Sequence, residues 1–278
     1  MTITINDINK LRHQTGAGMM ACKAALTESK GDFEKAIAFL RKQGAQIAAS
    51  RATKTNKEGT VFVGTNSPED DYGVSFSLQC ETDFVAKNAS FQNLGKSILD
   101  LAIRYKPLNT AQLLSLKTQE GVSVAEQIDT LISKMSEKIT IERYATLVSD
   151  TVVSYAHAGG RLGVLMGLTG VQGTQVKEAG RNIAMQIAAM DPLAVDERGI
   201  DAKTIARERE IASVRARKEG KPEFILDKIV QGKLNKFFKE NVLLHQSFVK
   251  DNGLTVAQYL SHVSPELTIT GFERMTII

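Results

Sequence analysis

Internal repetition constrains the fold of this chain more than any other feature of its sequence. Between residues 58 and 278 one order of segments occurs twice: two strand-like runs, an amphipathic helix, a shorter helix and a final strand. Gly121-Val122-Ser123-Val124-Ala125-Glu126 matches Gly253-Leu254-Thr255-Val256-Ala257-Gln258. In the final strands Ile139-Thr140 matches Ile269-Thr270. Such a repeat predicts an α+β fold of two related units, each an antiparallel sheet covered by helices.

Changes of pattern along the chain divide it into four parts. Residues 1–44 predict a small bundle of three helices, and residues 45–57 predict a basic linker. Core unit one covers residues 58–147. Core unit two covers residues 148–278 and carries an inserted helical hairpin at residues 201–241.

The N-terminal bundle carries local helix signals. Thr4 and Asp7 resemble a capping box, and Asp32 caps a third helix that we expect to end before Gly44. From Ala45 to Lys57 the apolar periodicity fades, and this segment holds Arg51, Lys54 and Lys57 but no acidic residue. We therefore expect a solvated, partly helical linker.

The two core copies differ in where they carry additional residues. Copy one has five more residues between its second strand and its first helix, and they fall across Thr82-Asp83-Phe84-Val85. Copy two has the hairpin at residues 201–241, whose first helix holds seven basic and three acidic residues between Lys203 and Lys221. The scaffold folds without either insertion in the other copy, so we expect both insertions to be binding elements.

The first insertion permits two local interpretations. A strand pattern followed by Thr82 and Asp83 is typical of a helix N-terminus, where either side chain can cap free backbone N–H groups. Phe84 and Val85 then fall in the first helical turn. They form either a hydrophobic staple that closes the local structure or part of an exposed contact element.

Composition and charge exclude several classes of protein. With 42% hydrophobic and 24% charged residues and no long apolar run, the chain predicts no membrane-spanning segment. Cys22 and Cys80 lie far apart, which suits a reducing, cytoplasmic location. A net charge of +4 is compatible with an acidic partner and does not require nucleic acid.

The segments that resemble nucleotide-binding or catalytic motifs lack residues that those motifs require. Leu94-Gly95-Lys96-Ser97 resembles the end of a phosphate loop, but it lies within a helical pattern and has Ser90 where that loop needs its first glycine. Gly16-Ala17-Gly18 lacks the third glycine of a dinucleotide site. The four histidines are scattered and form no catalytic arrangement. We therefore expect no enzymatic chemistry, no direct nucleotide binding, no metal and no cofactor.

Three features permit both a structural and a binding interpretation. Met19 and Met20 follow a glycine turn and belong either to the core or to an adaptable contact surface. His157 is either a plain loop residue or a contact. The basic hairpin is either a solvated face or an RNA-binding element, although aromatic residues do not interleave with its charges.

Two signatures resemble one known family. Thr15-Gly16-Ala17-Gly18-Met19-Met20, followed by Cys22-Lys23 and Ala25-Leu26, is similar to the N-terminal signature of bacterial elongation factor Ts. Thr82-Asp83-Phe84-Val85-Ala86-Lys87-Asn88 resembles the second signature of that family. The resemblance implies a ubiquitin-associated-like N-terminal bundle, a two-unit core of the dimerisation type and a coiled-coil protrusion.

The resemblance also implies a function and a partner. Members of the family are guanine-nucleotide exchange factors for elongation factor Tu, which they bind in its GDP or nucleotide-free form. By this resemblance the N-terminal contact is assigned to Arg12, Met19 and Met20. The element that disturbs the magnesium and phosphate region of the partner is assigned to Thr82, Asp83, Phe84 and Val85. His157 is a weaker contact candidate.

The sequence departs from the family pattern in four places. Ala21 replaces a common aspartate, so a cap or a polar contact at the second helix is expected to be missing. The loop His157-Ala158-Gly159-Gly160-Arg161 is unusual, and Ser247 replaces a common proline. Many relatives continue past the position of Ile278 into a helical extension, and contacts made by that extension are expected to be absent. The alternative function is that of a basic RNA- or ribosome-binding protein that uses the linker and the hairpin.

Overall fold

A computed structural model describes residues 3–51 and 53–277 of the chain. The α-helices are α1 (Ile5–Thr15), α2 (Met19–Glu28), α3 (Phe33–Ser50), α4 (Asp83–Ala86), α5 (Ala89–Tyr105), α6 (Thr110–Ser115), α7 (Val124–Met135), α8 (Thr174–Met190), α9 (Ala202–Lys218), α10 (Leu226–Asn241) and α11 (Val256–Val263). The strands are β1 (Glu58–Thr65), β2 (Tyr72–Cys80), β3 (Thr140–Val148), β4 (Thr151–Ala156), β5 (Leu162–Thr169), β6 (Ser247–Phe248), β7 (Asp251–Thr255) and β8 (Thr268–Thr276). Within these described ranges, every helix is too short or too polar to cross a bilayer.

Two three-stranded antiparallel sheets form the centre of the molecule, with the orders β1-β2-β3 and β4-β5-β8. In each sheet the pairing of the middle strand with the last strand shifts register at the same place: Glu142 of β3 is skipped between Ser77 and Leu78, and Thr270 of β8 is skipped between Gly167 and Leu168. The predicted α+β class is confirmed. The shared irregularity supports the internal repeat, because a β-bulge is a specific local feature rather than a general property of sheets.

The strand register corrects one detail of the repeat. Thr140 lies opposite Gln79, and Thr268 lies opposite Thr169 at the equivalent point of the other sheet. Thr140 therefore corresponds to Thr268, and the sequence match to Thr270 is wrong by two positions. Threonine and isoleucine alternate in this strand, and a shift of two residues keeps each side chain on the same face.

Each sheet packs its helices over a separate hydrophobic core. In unit one the buried residues Phe76, Phe91 and Ile98 join β2 to α5. In unit two Met166 and Ile183 join β5 to α8 in the same way. The shorter helices α7 and α11 begin with equivalent capping boxes at the predicted matching positions.

The third helix is longer than predicted. It continues from Phe33 to Ser50, so the expectation that it ends before Gly44 is wrong. A Cβ atom at Gly44 would lie 2.7 Å from the carbonyl oxygen of Asp129 in α7. The glycine therefore permits close packing of two helices instead of ending one of them.

The predicted solvated linker is also wrong at Arg51. The Nη1 atom of Arg51 lies 2.8 Å from Oε1 of Glu81 in core unit one. Nearby, the backbone carbonyl of Lys54 accepts a hydrogen bond from Nζ of Lys138 at 3.0 Å. The acidic partner of Arg51 is 30 positions away, which is why local sequence gave no sign of it. The segment after α3 is attached to the core.

The second insertion forms the predicted helical hairpin. Helices α9 and α10 pack through Ala212, Val230 and Leu234, and the turn between them contains Gly220 with a φ of 70°. At its base the N–H of Leu193 donates to the carbonyl of Asn241 at 2.8 Å. The hairpin thus has a core of its own, and its base is held to unit two by backbone hydrogen bonds and by the buried cluster of Ala194, Ile200 and Val242.

Candidate partner-binding site

The segment that follows β2 forms the four-residue helix α4. Thr82 has an extended backbone and caps the helix, with its hydroxyl oxygen 3.5 Å from the N–H of Val85. Val85 and Ala86 are buried in the core of unit one. Because α4 turns its buried side toward this core, Phe84 points away from it and remains 83% exposed. The staple interpretation is wrong for Phe84, while the capping interpretation is correct for Thr82.

Asp83 lies beside Phe84 on the exposed side of α4. Its carboxylate is 2.7 Å from Nζ of Lys87, one helical turn later. The hydrogen bond from Lys87 lowers the pKa of Asp83, so this carboxyl group is ionised at neutral pH. The first insertion therefore presents an aromatic ring next to a negative charge.

Two neighbouring groups fix the start of α4. Glu137, in the loop before β3, accepts hydrogen bonds from the backbone N–H groups of Glu81 at 3.2 Å and Thr82 at 3.0 Å. The buried thiol of Cys80 lies 3.1 Å from the carbonyl of Thr82, and burial raises the pKa of Cys80 to about 12. Sequence reasoning missed Glu137 because it lies 55 positions from Thr82 and belongs to no motif.

The loop that contains His157 lies beside β1. Its Gly160 carbonyl accepts a hydrogen bond from the N–H of Val61 at 2.7 Å, and Arg161 forms an ion pair with Glu58. His157 itself is exposed, and its Nδ1 atom is 2.9 Å from the hydroxyl of Tyr155. The structure thus attaches this loop to β1 through Val61 and Glu58.

The N-terminal candidates lie on the bundle, at the junction of α1 and α2. Arg12 is in the last turn of α1 and is exposed. Met19 and Met20 begin α2 and are 49% and 76% exposed, so they do not belong to the core of the bundle. Helix α2 has Gly18 at its N-cap, which has no side chain to cap it, and no acidic residue lies in its first turn, where Ala21 replaces the common aspartate.

The bundle and core unit one enclose a cleft of about 560 Å³. Residues from both sides line it, including Ala17 and Leu40 of the bundle and Leu94, Leu131 and Lys134 of the core. The loop before Met19 therefore faces core unit one. Met19, Met20 and Phe84 are not among the lining residues, so these exposed side chains lie outside the cleft.

Gly95 has a structural explanation. It lies in α5, where a Cβ atom would be 1.9 Å from the ring of Phe62. Its place in the middle of a helix agrees with the rejection of a phosphate loop at Leu94-Gly95-Lys96-Ser97.

Comparison with known proteins decides the family. The family model described as elongation factor TS matches residues 81–277. The chain is 49% identical to elongation factor Ts of Amoebophilus asiaticus, over 100% of this chain and 99% of that protein. The chain belongs to the elongation factor Ts family. Elongation factor Ts of Cytophaga hutchinsonii is 47% identical, over 99% of both chains. Elongation factor Ts of Porphyromonas gingivalis is 43% identical, over 100% of this chain and 99% of that protein.

Membership confirms the resemblance seen in the two signatures. An elongation factor Ts acts in protein biosynthesis, so the chain is a translation elongation factor. The family model begins at Glu81 and includes α4, both core units from that point on and the hairpin. The roles assigned to individual residues stay predictions.

Proposed function

We propose that this chain is a guanine-nucleotide exchange factor for elongation factor Tu. It binds the GDP form of that partner, promotes GDP release by disturbing the magnesium and phosphate site, and leaves a nucleotide-free complex that takes up GTP. The observation that carries the proposal is the exposed ring of Phe84 on a helix anchored by buried Val85 and capped by Thr82. An exposed phenylalanine on a rigid element is available to enter a partner.

The physical mechanism needs no chemistry from the chain itself. Bound GDP is held by backbone N–H groups around its phosphates and by Mg²⁺, whose near-octahedral coordination tolerates little distortion. The ring of Phe84 enters between side chains of the partner and displaces groups that shape this coordination. The ionised Asp83 accepts hydrogen bonds that the magnesium site otherwise uses.

The required energy is available from an ordinary interface. A thousandfold loss of GDP affinity corresponds to roughly 4 kcal/mol. A protein interface of standard size supplies this amount when its central contacts are well packed. Arg12, Met19 and Met20 provide a second contact region on the bundle, and the His157 loop provides a third. We expect the chain to act in the cytoplasm without binding nucleotide, membrane or nucleic acid directly.

Stopped-flow release of fluorescent GDP from elongation factor Tu tests the proposal. Phe84→Ala is expected to slow release at least about tenfold, the effect of losing 1.4 kcal/mol of transition-state stabilisation. The fold should remain intact, because Phe84 buries little surface. Leu108→Ala is the control, since Leu108 is an apolar side chain that is 81% exposed in the loop after α5, outside the proposed contact regions. If the Phe84 variant releases GDP at the unmutated rate, the proposed role of Phe84 is wrong.

RNA or ribosome binding remains the alternative function. Arg51 is paired with Glu81, so part of the linker charge is unavailable to a phosphate backbone. An RNA-binding protein would lose affinity steeply as salt increases. Titration of ribosomal RNA at two salt concentrations, with an unrelated basic protein for comparison, separates the two functions.

A further inference from the structure

Two loops beside α4 hold each other through a pair of carboxylates. Oε2 of Glu137 accepts the backbone N–H groups of Glu81 and Thr82, and Oε1 accepts the hydroxyl of Thr82 at 2.6 Å. In the opposite direction, Oε1 of Glu81 accepts the backbone N–H of Lys138 at 2.7 Å. We call this reciprocal arrangement of Glu81 and Glu137 the carboxylate clasp. It joins the end of β2 to the beginning of β3.

The second core unit lacks the clasp. Because Leu78 and Leu168 follow equivalent register shifts, Glu81 corresponds to Val171. Because Thr140 corresponds to Thr268, counting back three positions matches Glu137 with Pro265. Neither equivalent residue has a carboxylate, and the described residues between β5 and α8 form no counterpart of α4. The clasp is therefore associated with α4 and is not a general requirement of this sheet.

A helix of four residues needs external support. Isolated helices of this length do not form in water, because nucleation costs more than one or two hydrogen bonds return. Helix α4 has support on one side from the burial of Val85 and Ala86. On the other side the clasp fixes Thr82, which is the cap residue of the helix. The direction of Phe84 depends on both supports.

Arg51 extends the clasp toward the N-terminal bundle. Its Nη1 atom lies 2.8 Å from Oε1 and 3.1 Å from Oε2 of Glu81. Arg51 immediately follows α3, the long helix of the bundle. One chain of hydrogen bonds thus runs from the end of the bundle through Glu81 to the loop that holds Thr82.

We propose that Glu137 and Glu81 are positioning residues for Phe84, and that Arg51 couples the bundle to them. The proposal rests on the exchange function proposed above. In it the clasp holds α4 in the orientation that enters the partner, so that little conformational freedom is lost on binding. Docking of the bundle then restrains the same segment through Arg51.

Amide hydrogen exchange of the free chain tests the clasp without any partner. In Glu137→Ala, the amides of Glu81 and Thr82 lose their acceptor and are expected to exchange at least about tenfold faster. The amide of Phe76 in the middle of β2 should keep its protection. Glu178→Gln, a substitution on the exposed face of α8, is the control. Unchanged exchange at Glu81 and Thr82 would overturn the clasp.

GDP-release kinetics test the positioning role. We expect Glu137→Ala to lower kcat about tenfold and to change KM by less than about threefold, since Phe84 is present but no longer oriented. Glu137→Gln retains one acceptor oxygen and should give an intermediate kcat. This variant replaces the alanine variant in the test if the latter folds poorly. If Phe84→Ala slows release and both Glu137 variants release GDP at the unmutated rate, the positioning role is wrong and the exchange function stands. If the unmutated chain does not accelerate release, the exchange function fails and the positioning role fails with it.

A double-mutant cycle tests the part assigned to Arg51. In the unmutated background, Met20→Ala and Phe84→Ala should be non-additive in the GDP-release rate, because the bundle and α4 act together. In the Arg51→Met background the two substitutions should become additive. Additivity in both backgrounds would overturn the coupling through Arg51.

Discussion

Gly95 allows the ring of Phe62 to pack against α5, because glycine has no Cβ atom. The ring of Phe62 fills the space where a side chain would begin and stacks on Phe76 at 5.3 Å. Gly95→Ala should lower the free energy of unfolding by about 1–3 kcal/mol, as expected for overpacking. Gly232→Ala, in α10 with open space around it, should raise it by about 0.5–1 kcal/mol. Urea denaturation measures both. A stable Gly95→Ala variant would show that Phe62 repacks easily.

Glu81 should contribute to the pH dependence of stability. Burial alone raises the pKa of Glu81, but the Lys138 N–H and the Arg51 guanidinium outweigh it and hold the pKa below the ordinary 4.5. The stabilisation is therefore present above pH 4.5 and is lost as the pH falls through the folded-state value. The stability difference between the unmutated chain and Glu81→Gln should shrink between pH 7 and pH 3. Thermal unfolding across that range measures it, and a constant difference would contradict the assignment.

At the scale of elements, the contact between α3 and α7 attaches the bundle to the core. Gly44→Leu places a side chain against the backbone of Asp129, so α3 must move away from α7. We expect faster amide exchange along α7 and a larger radius of gyration, with the bundle still helical. Hydrogen exchange and small-angle X-ray scattering measure these effects. Gly232→Leu is the control, and unchanged scattering of the Gly44 variant would show that another contact holds the bundle.

At the scale of the whole molecule, exchange activity requires reciprocal coupling between two ligands of elongation factor Tu. If the chain weakens GDP binding by some factor, GDP must weaken binding of the chain by the same factor. We expect a stable complex with the nucleotide-free partner and a much weaker one at saturating GDP. Calorimetric titration in the two conditions measures the factor. Equal affinities of the chain for the nucleotide-free and the GDP-saturated partner would contradict the proposed mechanism.

Much of the fold was predictable because its signals are local. Capping boxes, alternating strands and the glycine turn at Gly220 lie within a few residues of the elements they define. The insertion at Thr82-Asp83-Phe84-Val85 was found by comparing the two copies. The side to which each of its residues points was not predictable, because Val85 and Phe84 are both apolar and only the surrounding core distinguishes them.

The sequence by itself determined the α+β class, the repeated order of elements and the family, since each depends on periodicity or on contiguous motifs. Tertiary structure alone decided that Gly44 is a packing site, that Arg51 is paired and that Thr140 corresponds to Thr268. It also revealed that Glu137 holds the segment from which Phe84 projects. These contacts join residues that are 30 to 85 positions apart, and no local pattern records a hydrogen bond made across such a distance.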